Sequence, residues 1–152
     1  MKPQTLKSLA IPFVTLLIVF ATSLVSANAQ TSSRVYAEIP FDFVVGDKVL
    51  NAGKYSVSSG LQDGSALIVR NVKAKGIAIR LTSQLQSRSS ETNARLVFHR
   101  YGQTYFLAEV WHGADNTGRA LRPSKAERAL QRERAFIGRN NFETVDLIAS
   151  VR

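Results

Sequence analysis

Residues 95–113, RLVFHRYGQTYFLAEVWHG, decide the fold of this chain. They hold the single Trp, both His residues, two of the four Tyr and two of the eight Phe. The sequence predicts two strands that fold back on each other at Tyr101-Gly102-Gln103-Thr104, because a glycine suits the backbone of a tight hairpin turn.

The predicted register pairs Arg100 with Tyr105 and His99 with Phe106. One face then carries Leu96, Phe98, Tyr105, Leu107 and Trp111, with Arg100 and Glu109 among them. The other face carries Val97, His99, Phe106, Ala108 and Val110. Because both faces are largely apolar, we expect a central hairpin. One face contacts the core, and the helix predicted after Ser124 is the candidate cover for the other.

The hairpin also gathers the residues of a candidate site: His99, Arg100, Glu109, Trp111 and His112. In the predicted register the two histidines lie roughly 20 Å apart at ~3.3 Å per residue, whereas metal ligands converge to ~2 Å from one ion. A metal site shared by this pair therefore requires a different register, or one histidine with remote carboxylates. Trp111 is expected in the core, and Arg100 is expected to neutralise Glu109 on the same face.

Segments 34–45, 48–50, 54–58, 66–72 and 77–85 are predicted strands, separated by turn signals. Short strands at this spacing are typical of a sandwich or barrel. Pro40 divides the first segment and predicts an edge strand or a bend there. Residues 142–151 are a candidate last strand. The predicted fold is mainly β, an antiparallel β-sandwich or barrel of about 7–8 strands with one C-terminal helix.

Residues 114–123 are predicted to form a loop, and residues 124–137 a helix. Ser124 and Glu127 fit a capping box, in which each side chain bonds the backbone amide of the other residue. Ala126, Ala129, Leu130 and Phe136 or Ile137 recur at helical spacing and predict the apolar face.

A candidate anion patch surrounds this helix and comprises Arg119, Arg122, Lys125, Arg128, Arg132 and Arg139. Three of these, Lys125, Arg128 and Arg132, lie on one side of a helix. They suit an anionic polymer or lipid surface. The alternative, which the sequence alone favours, is a solvated face that Glu127 and Glu133 dilute.

The first 29 residues have the pattern of a signal peptide. Lys2 and Lys7 precede an apolar run at 11–21, and Ala27 and Ala29 suit a signal peptidase, which predicts cleavage between Ala29 and Gln30. A retained anchor is the alternative, but the run is short for a span of roughly 20 residues. Residues 30–152 are then a single β-rich domain with a net charge of +7, against +9 for the full chain.

Composition excludes several chemistries. The chain has no Cys, so it has no disulfide, thiolate metal site, Cys nucleophile or lipidated Cys. It has no Gly-x-Ser-x-Gly, no phosphate-binding glycine loop and no distinguishable pair of catalytic carboxylates. No catalytic, cofactor-binding or metal-binding residue is assigned. Nucleic acid is disfavoured as a partner, because the chain carries no recognition motif and is predicted to be exported.

Two regions carry a resemblance to a known family. They read IPFDFVVG at 39–46, LNAGKYSV at 50–57, LVFHRYG at 96–102, YFLAEVW at 105–111, GR at 118–119 and SKAER at 124–128. This pattern resembles that of small secreted bacterial proteins of uncharacterised function, in which Leu-Pro-Ala-Gly usually stands at the Leu50-Asn51-Ala52-Gly53 position. The resemblance covers about half of the mature chain. It implies export and a compact β domain with a C-terminal helix, and no catalytic residues.

The sequence thus predicts an exported, non-enzymatic structural or binding protein of the periplasm or cell exterior. One alternative is a peripheral module that binds anionic envelope polymer or lipid through the Arg-rich helix. Another is a small secreted hydrolase with Arg100, Glu109, His99 or Asp115 near a pocket.

Overall fold

The computed structural model describes residues 34–151 except for residues 62, 88–92, 114–115 and 137–141. The described residues belong to one compact unit, Ser32–Arg152. The predicted signal peptide and its cleavage site lie outside the described residues, as do Asp115 and Arg139. Among the described residues, no helix is both long enough and apolar enough to cross a membrane.

The described part of the chain is mainly β, with one helix near its C-terminal end. The helix α1 is Lys125–Phe136. The strands are β1 (Val35–Ile39), β2 (Phe43–Val45), β3 (Lys48–Leu50), β4 (Gly53–Ser59), β5 (Ala66–Asn71), β6 (Ile77–Gln86), β7 (Arg95–Tyr101), β8 (Thr104–Trp111), β9 (Thr117–Leu121), β10 (Glu143–Ile148) and β11 (Ser150–Val151).

These strands form one mixed, open sheet in the order β10-β7-β8-β9-β6-β5-β4-β1-β11. Off this path, β2 pairs with β3 and runs parallel to the first half of β8. The prediction of about 7–8 antiparallel strands was therefore wrong, for two physical reasons. The predicted loop at 114–123 contains β9, which is held by pairing with both β6 and β8. In addition, the chain breaks at Pro40 and at Ala149, where single predicted segments become two strands.

The two ends of the strand order are consecutive in the chain. Strand β10 pairs with β7, and β11 pairs with β1. Only Ala149 separates β10 from β11, and its N–H donates to the carbonyl of Ala94 at 2.8 Å. Of the two alternatives predicted for Pro40, the bend is correct. Strand β1 pairs with β4 along its whole length and with β11 at Val35 and Tyr36, so it is not an edge strand.

The predicted central hairpin is confirmed, but its register changes partway. Tyr101 pairs with Thr104 around Gly102, whose φ is 66°, and His99 pairs with Phe106 as expected. A β-bulge at Ala108 then shifts the register by one residue, so that Val97 pairs with Glu109. Because strand side chains alternate between faces, this shift moves Val110 into the core and turns Glu109 and Trp111 to the opposite face.

The core is built from the inward side chains of these strands. Alternate residues of β1 and β4 are buried, and Tyr55 and Val57 share one face as predicted. Phe98 is fully buried at the centre. Its ring centroid lies 5.3 Å from that of Phe41 and 5.5 Å from that of Phe43, in edge-to-face geometry in both pairs. Aromatic rings prefer this arrangement, so these contacts fix how the three rings pack against one another in the core.

Candidate functional site

Helix α1 is attached to the central hairpin by a polar cluster that we call the helix–hairpin joint: His99, Tyr101, Glu127 and Gln131. His99 Nδ1 lies 3.0 Å from Glu127 Oε1, and the Tyr101 hydroxyl lies 3.4 Å from the same oxygen. Gln131 Nε2 donates to the Tyr101 hydroxyl at 2.9 Å. Glu127 is only 4% exposed, so this carboxylate is held by the hairpin and shielded from solvent.

Aromatic and cationic side chains complete the surroundings of the joint. The ring centroids of Phe142 and His99 lie 4.0 Å apart. The Cζ atom of Arg134 lies over the Tyr101 ring, 5.6 Å from its centroid. Helix α1 therefore contacts the His99 and Tyr101 end of the hairpin face that it was predicted to cover.

The joint has part of what a catalytic site needs, namely a histidine oriented by a carboxylate. A nucleophile is the other requirement, and the nearest serine on the helix has another role. Ser124 Oγ accepts the Glu127 backbone N–H at 3.1 Å, which makes it an N-cap. Among the described residues, no group of three or more His, Asp or Glu side chains could hold a metal ion. The arrangement is suited to holding the helix in place.

Only half of the predicted capping box is present. The Ser124 half forms as expected, but the Glu127 carboxylate turns to His99 and Tyr101 in place of the Ser124 amide.

The predicted apolar face of the helix is also wrong. Ala126, Ala129 and Phe136 are exposed, while the inward side carries Glu127, Leu130, Gln131 and Arg134. The helix is oriented by its polar i, i+4, i+7 residues Glu127, Gln131 and Arg134, a signal that the sequence did contain.

This orientation leaves a continuous outward surface, the basic face: Lys125, Arg128 and Arg132. All three are exposed, and Phe136 follows on the same side with 92% of its surface exposed. Arg122, just before the helix, is exposed as well. Arg119 is elsewhere engaged, because its guanidinium donates to the Asp63 carbonyl at 2.9 Å and so ties β9 to the β4–β5 turn.

The candidate hairpin residues do not converge on one place. Arg100 contacts Glu143 at 3.1 Å and donates to the Gly102 carbonyl at 2.8 Å. Glu109 accepts the indole N–H of Trp111 at 2.8 Å. The expected neutralisation of Glu109 by Arg100 was therefore wrong, because the bulge places these side chains on opposite faces. Trp111 is buried as expected, under the guanidinium of Arg95. His112 lies half-buried just beyond β8.

Two of the grooves in the described surface lie away from these residues. One, of about 400 Å³, lies beside β1 and β4 and is crossed by the exposed Lys54–Glu38 ion pair at 3.5 Å. The other, of about 340 Å³, lies between the β2–β3 hairpin and β6.

Comparisons with other proteins do not assign this site. No family model, no curated protein and no solved structure matches the chain.

Tyr101 gives the joint a predicted dependence on high pH. Burial raises the pKa of Tyr101 above its usual 10.0, and Glu127 adds to the rise, although the Gln131 hydrogen bond opposes it. The unfolded chain then loses this phenolic proton first, so stability falls as the pH rises through the raised pKa. We expect Tyr101→Phe to flatten the loss of unfolding free energy above pH 10, measured by urea denaturation. Tyr36→Phe, outside the joint, serves as the control, and equal slopes for wild type and Tyr101→Phe would contradict this assignment.

Proposed function

We propose that this protein is an exported, non-enzymatic binding protein, and that the basic face of α1 is its contact surface for an anionic envelope surface. The observation that carries the proposal is the burial of Glu127. Because this carboxylate is engaged by His99 and Tyr101, it does not offset the positive charge of the outward side. The exposed charged residues of α1 are then three basic ones and Glu133 alone.

Phe136 favours a lipid surface over a polymer. It stands eleven residues after Lys125, about three helical turns, and so on the same side of the helix. A row of cations with an exposed aromatic ring is typical of helices that lie at a membrane interface, where the ring enters the headgroup region. The net charge of +7 after the predicted cleavage also attracts the protein to an anionic surface, and it does so over a longer range than the helix contacts.

The hydrolase alternative gains no support from the geometry. Arg100 is engaged by Glu143, Glu109 by Trp111, and His99 by Glu127, so these side chains serve packing contacts. Trp111 is buried and offers no platform for a ligand. These contacts favour a binding role for the domain.

Charge reversal of the basic face tests the proposal. We expect K125E/R128E/R132E to bind phosphatidylglycerol vesicles at least about 100-fold more weakly at low salt, since each basic residue near an anionic surface contributes about 1 kcal/mol. Co-sedimentation with vesicles measures this binding. High salt is expected to abolish wild-type binding, because the Debye length falls to about 3 Å at 1 M.

The matched control is R70E/K73E/K75E, which reverses three exposed charges away from the helix. It changes the net charge by the same amount and is expected to retain most of the binding. Equal losses in the two triple variants would contradict a specific basic face. Phe136→Ala separates the two surfaces: it is expected to weaken vesicle binding but not binding to dextran sulfate. Binding to dextran sulfate alone would assign the face to a polymer.

A further inference from the structure

Strand β6 has an edge that is only partly paired. Residues Ile77–Leu81 pair with β5, whereas pairing with β9 begins at Thr82. Thr82 N–H donates to the Ser65 carbonyl, and Asn71 N–H donates to the Gly76 carbonyl. The backbone groups of the even-numbered residues in this segment therefore point to β5. The backbone groups of Ile77 and Ile79 therefore point to the other edge. Within the described residues, Ile79 has no backbone partner on that edge.

The β2–β3 hairpin faces this edge across a gap. Strand β3 pairs only with β2 in the described part of the chain, through a two-residue turn at Gly46 and Asp47. In such a hairpin Val45 and Lys48 form the hydrogen-bonded pair, so the backbone groups of Val49 point away from β2. Two incompletely paired strands thus flank the groove of about 340 Å³ between the hairpin and β6, which we call the slot.

Side chains bridge the slot where backbone pairing is missing. Lys48 Nζ donates to the Ile77 carbonyl at 3.0 Å, in the place that a neighbouring strand's N–H would take. The Arg80 guanidinium contacts Asp47 at 2.8 Å and packs so closely on Gly46 that a Cβ there would overlap it. These contacts join the two walls without closing them. Since they are exposed, they are inexpensive to rearrange.

The outer rim of the slot is apolar. Ile79 is 62% exposed and Leu81 is 70% exposed, and both side chains project from the same face of β6. These two neighbouring aliphatic side chains form a small apolar patch that an added strand would cover. Together with free backbone donors and acceptors, they are suited to β-augmentation, in which an extended peptide adds a strand to a sheet edge.

We propose that the slot binds an extended peptide segment as an additional strand along Ile77–Leu81. Its backbone pairs with Ile79, its apolar side chains cover Ile79 and Leu81, and its acidic side chains face Lys48 and take the place of Asp47 at Arg80. A second copy of this chain is disfavoured as the occupant, because it brings the same two cations and a net charge of +7 to the contact. This site is separate from the basic face of α1 and does not depend on the function proposed for it.

The test uses the peptide acetyl-Val-Glu-Val-Glu-Val-amide with the folded chain, and acetyl-Val-Lys-Val-Lys-Val-amide as its counterpart. We expect the acidic peptide to slow exchange of the Ile79 amide proton about 5-fold or more, measured by NMR. The Val69 amide, which is already in the β5–β6 ladder, serves as the internal reference. The lysine peptide is expected to leave both amides unchanged.

Ile79→Pro is the decisive variant, because it removes the outward N–H without removing a hydrogen bond to β5. We expect it to bind the peptide about 5-fold or more weakly than Ile79→Ala in fluorescence anisotropy, since both variants lose the isoleucine side chain and only the alanine variant keeps the N–H. If Ile79→Pro does not fold, the exchange experiment on the wild type decides the question by itself.

Three results would overturn the proposal. The first is no protection of the Ile79 amide by the acidic peptide, and the second is equal binding of both peptides. The third is protection without peptide that grows with protein concentration, which would assign the slot to a second copy. K125E/R128E/R132E is expected to bind the peptide like the wild type, so failure here is distinct from failure of the function proposed for α1.

Discussion

Phe98→Ala is expected to lower the free energy of unfolding by about 3–5 kcal/mol, the range for truncating a buried aromatic ring. Phe98 is fully buried, and its ring meets Phe41 and Phe43 edge to face. Removal of the ring leaves a cavity between β2 and β7, and the neighbouring rings lose their edge contacts as well. Urea denaturation followed by Trp111 fluorescence measures the change.

The matched control is Phe136→Ala on the helix. This ring is 92% exposed, so its loss is expected to change stability by less than about 0.5 kcal/mol. The same substitution at two sites thus separates the effect of burial from that of composition. A cost at Phe98 below about 1 kcal/mol would show that the hairpin is not at the centre of the core.

Glu127→Ala is expected to destabilise the protein by about 1–3 kcal/mol, because it removes the acceptor shared by His99 and Tyr101 in a buried position. The loss is expected to be local first. Helix α1 has few apolar inward contacts besides Leu130, so its amides at 125–136 should exchange faster before the sheet does. Hydrogen exchange with mass spectrometry resolves the helix from the strands.

Glu133→Ala is the control on the same helix, since Glu133 is exposed, and it is expected to stay within about 0.5 kcal/mol of the wild type. A double-mutant cycle with His99→Ala should give a coupling energy of about 0.5–3 kcal/mol. Additive effects of the two substitutions would show that the His99–Glu127 contact does not hold the helix in place.

Glu127 also links the fold to the proposed function. Its burial is what separates an inward polar side of α1 from an outward basic one. Glu127→Ala therefore tests whether vesicle binding needs a docked helix. We expect weaker binding than in the wild type even though the substitution raises the net charge by one, because an undocked helix no longer presents its cations as one surface.

The local pattern of residues predicted a large part of this fold. The alternation of β1, β2 and β4, the break at Pro40 and the turn at Gly102 follow from three properties of the backbone. Strand side chains alternate with a period of two, proline has no backbone N–H to donate, and glycine tolerates positive φ. The N-cap at Ser124 is local in the same way, since its hydrogen bond joins residues only three positions apart.

The candidate site was predicted less well, because its contacts are remote in sequence. His99 and Glu127 are 28 residues apart, and no spacing rule connects them. Strand β9 contains Gly118 and Arg119 and lacks a strong strand pattern, yet β6 and β8 hold it from both sides.

By itself, then, the sequence determined most of the short strands, the central hairpin and the start of the helix, because each depends on neighbours along the chain. Tertiary structure alone decided the bulge at Ala108, the face on which Trp111 lies, and the rotation of α1 that buries Glu127 and exposes Phe136. A one-residue shift in a strand or a half-turn of a helix changes which side chains meet without changing the local pattern. The competition among those contacts selects the final arrangement.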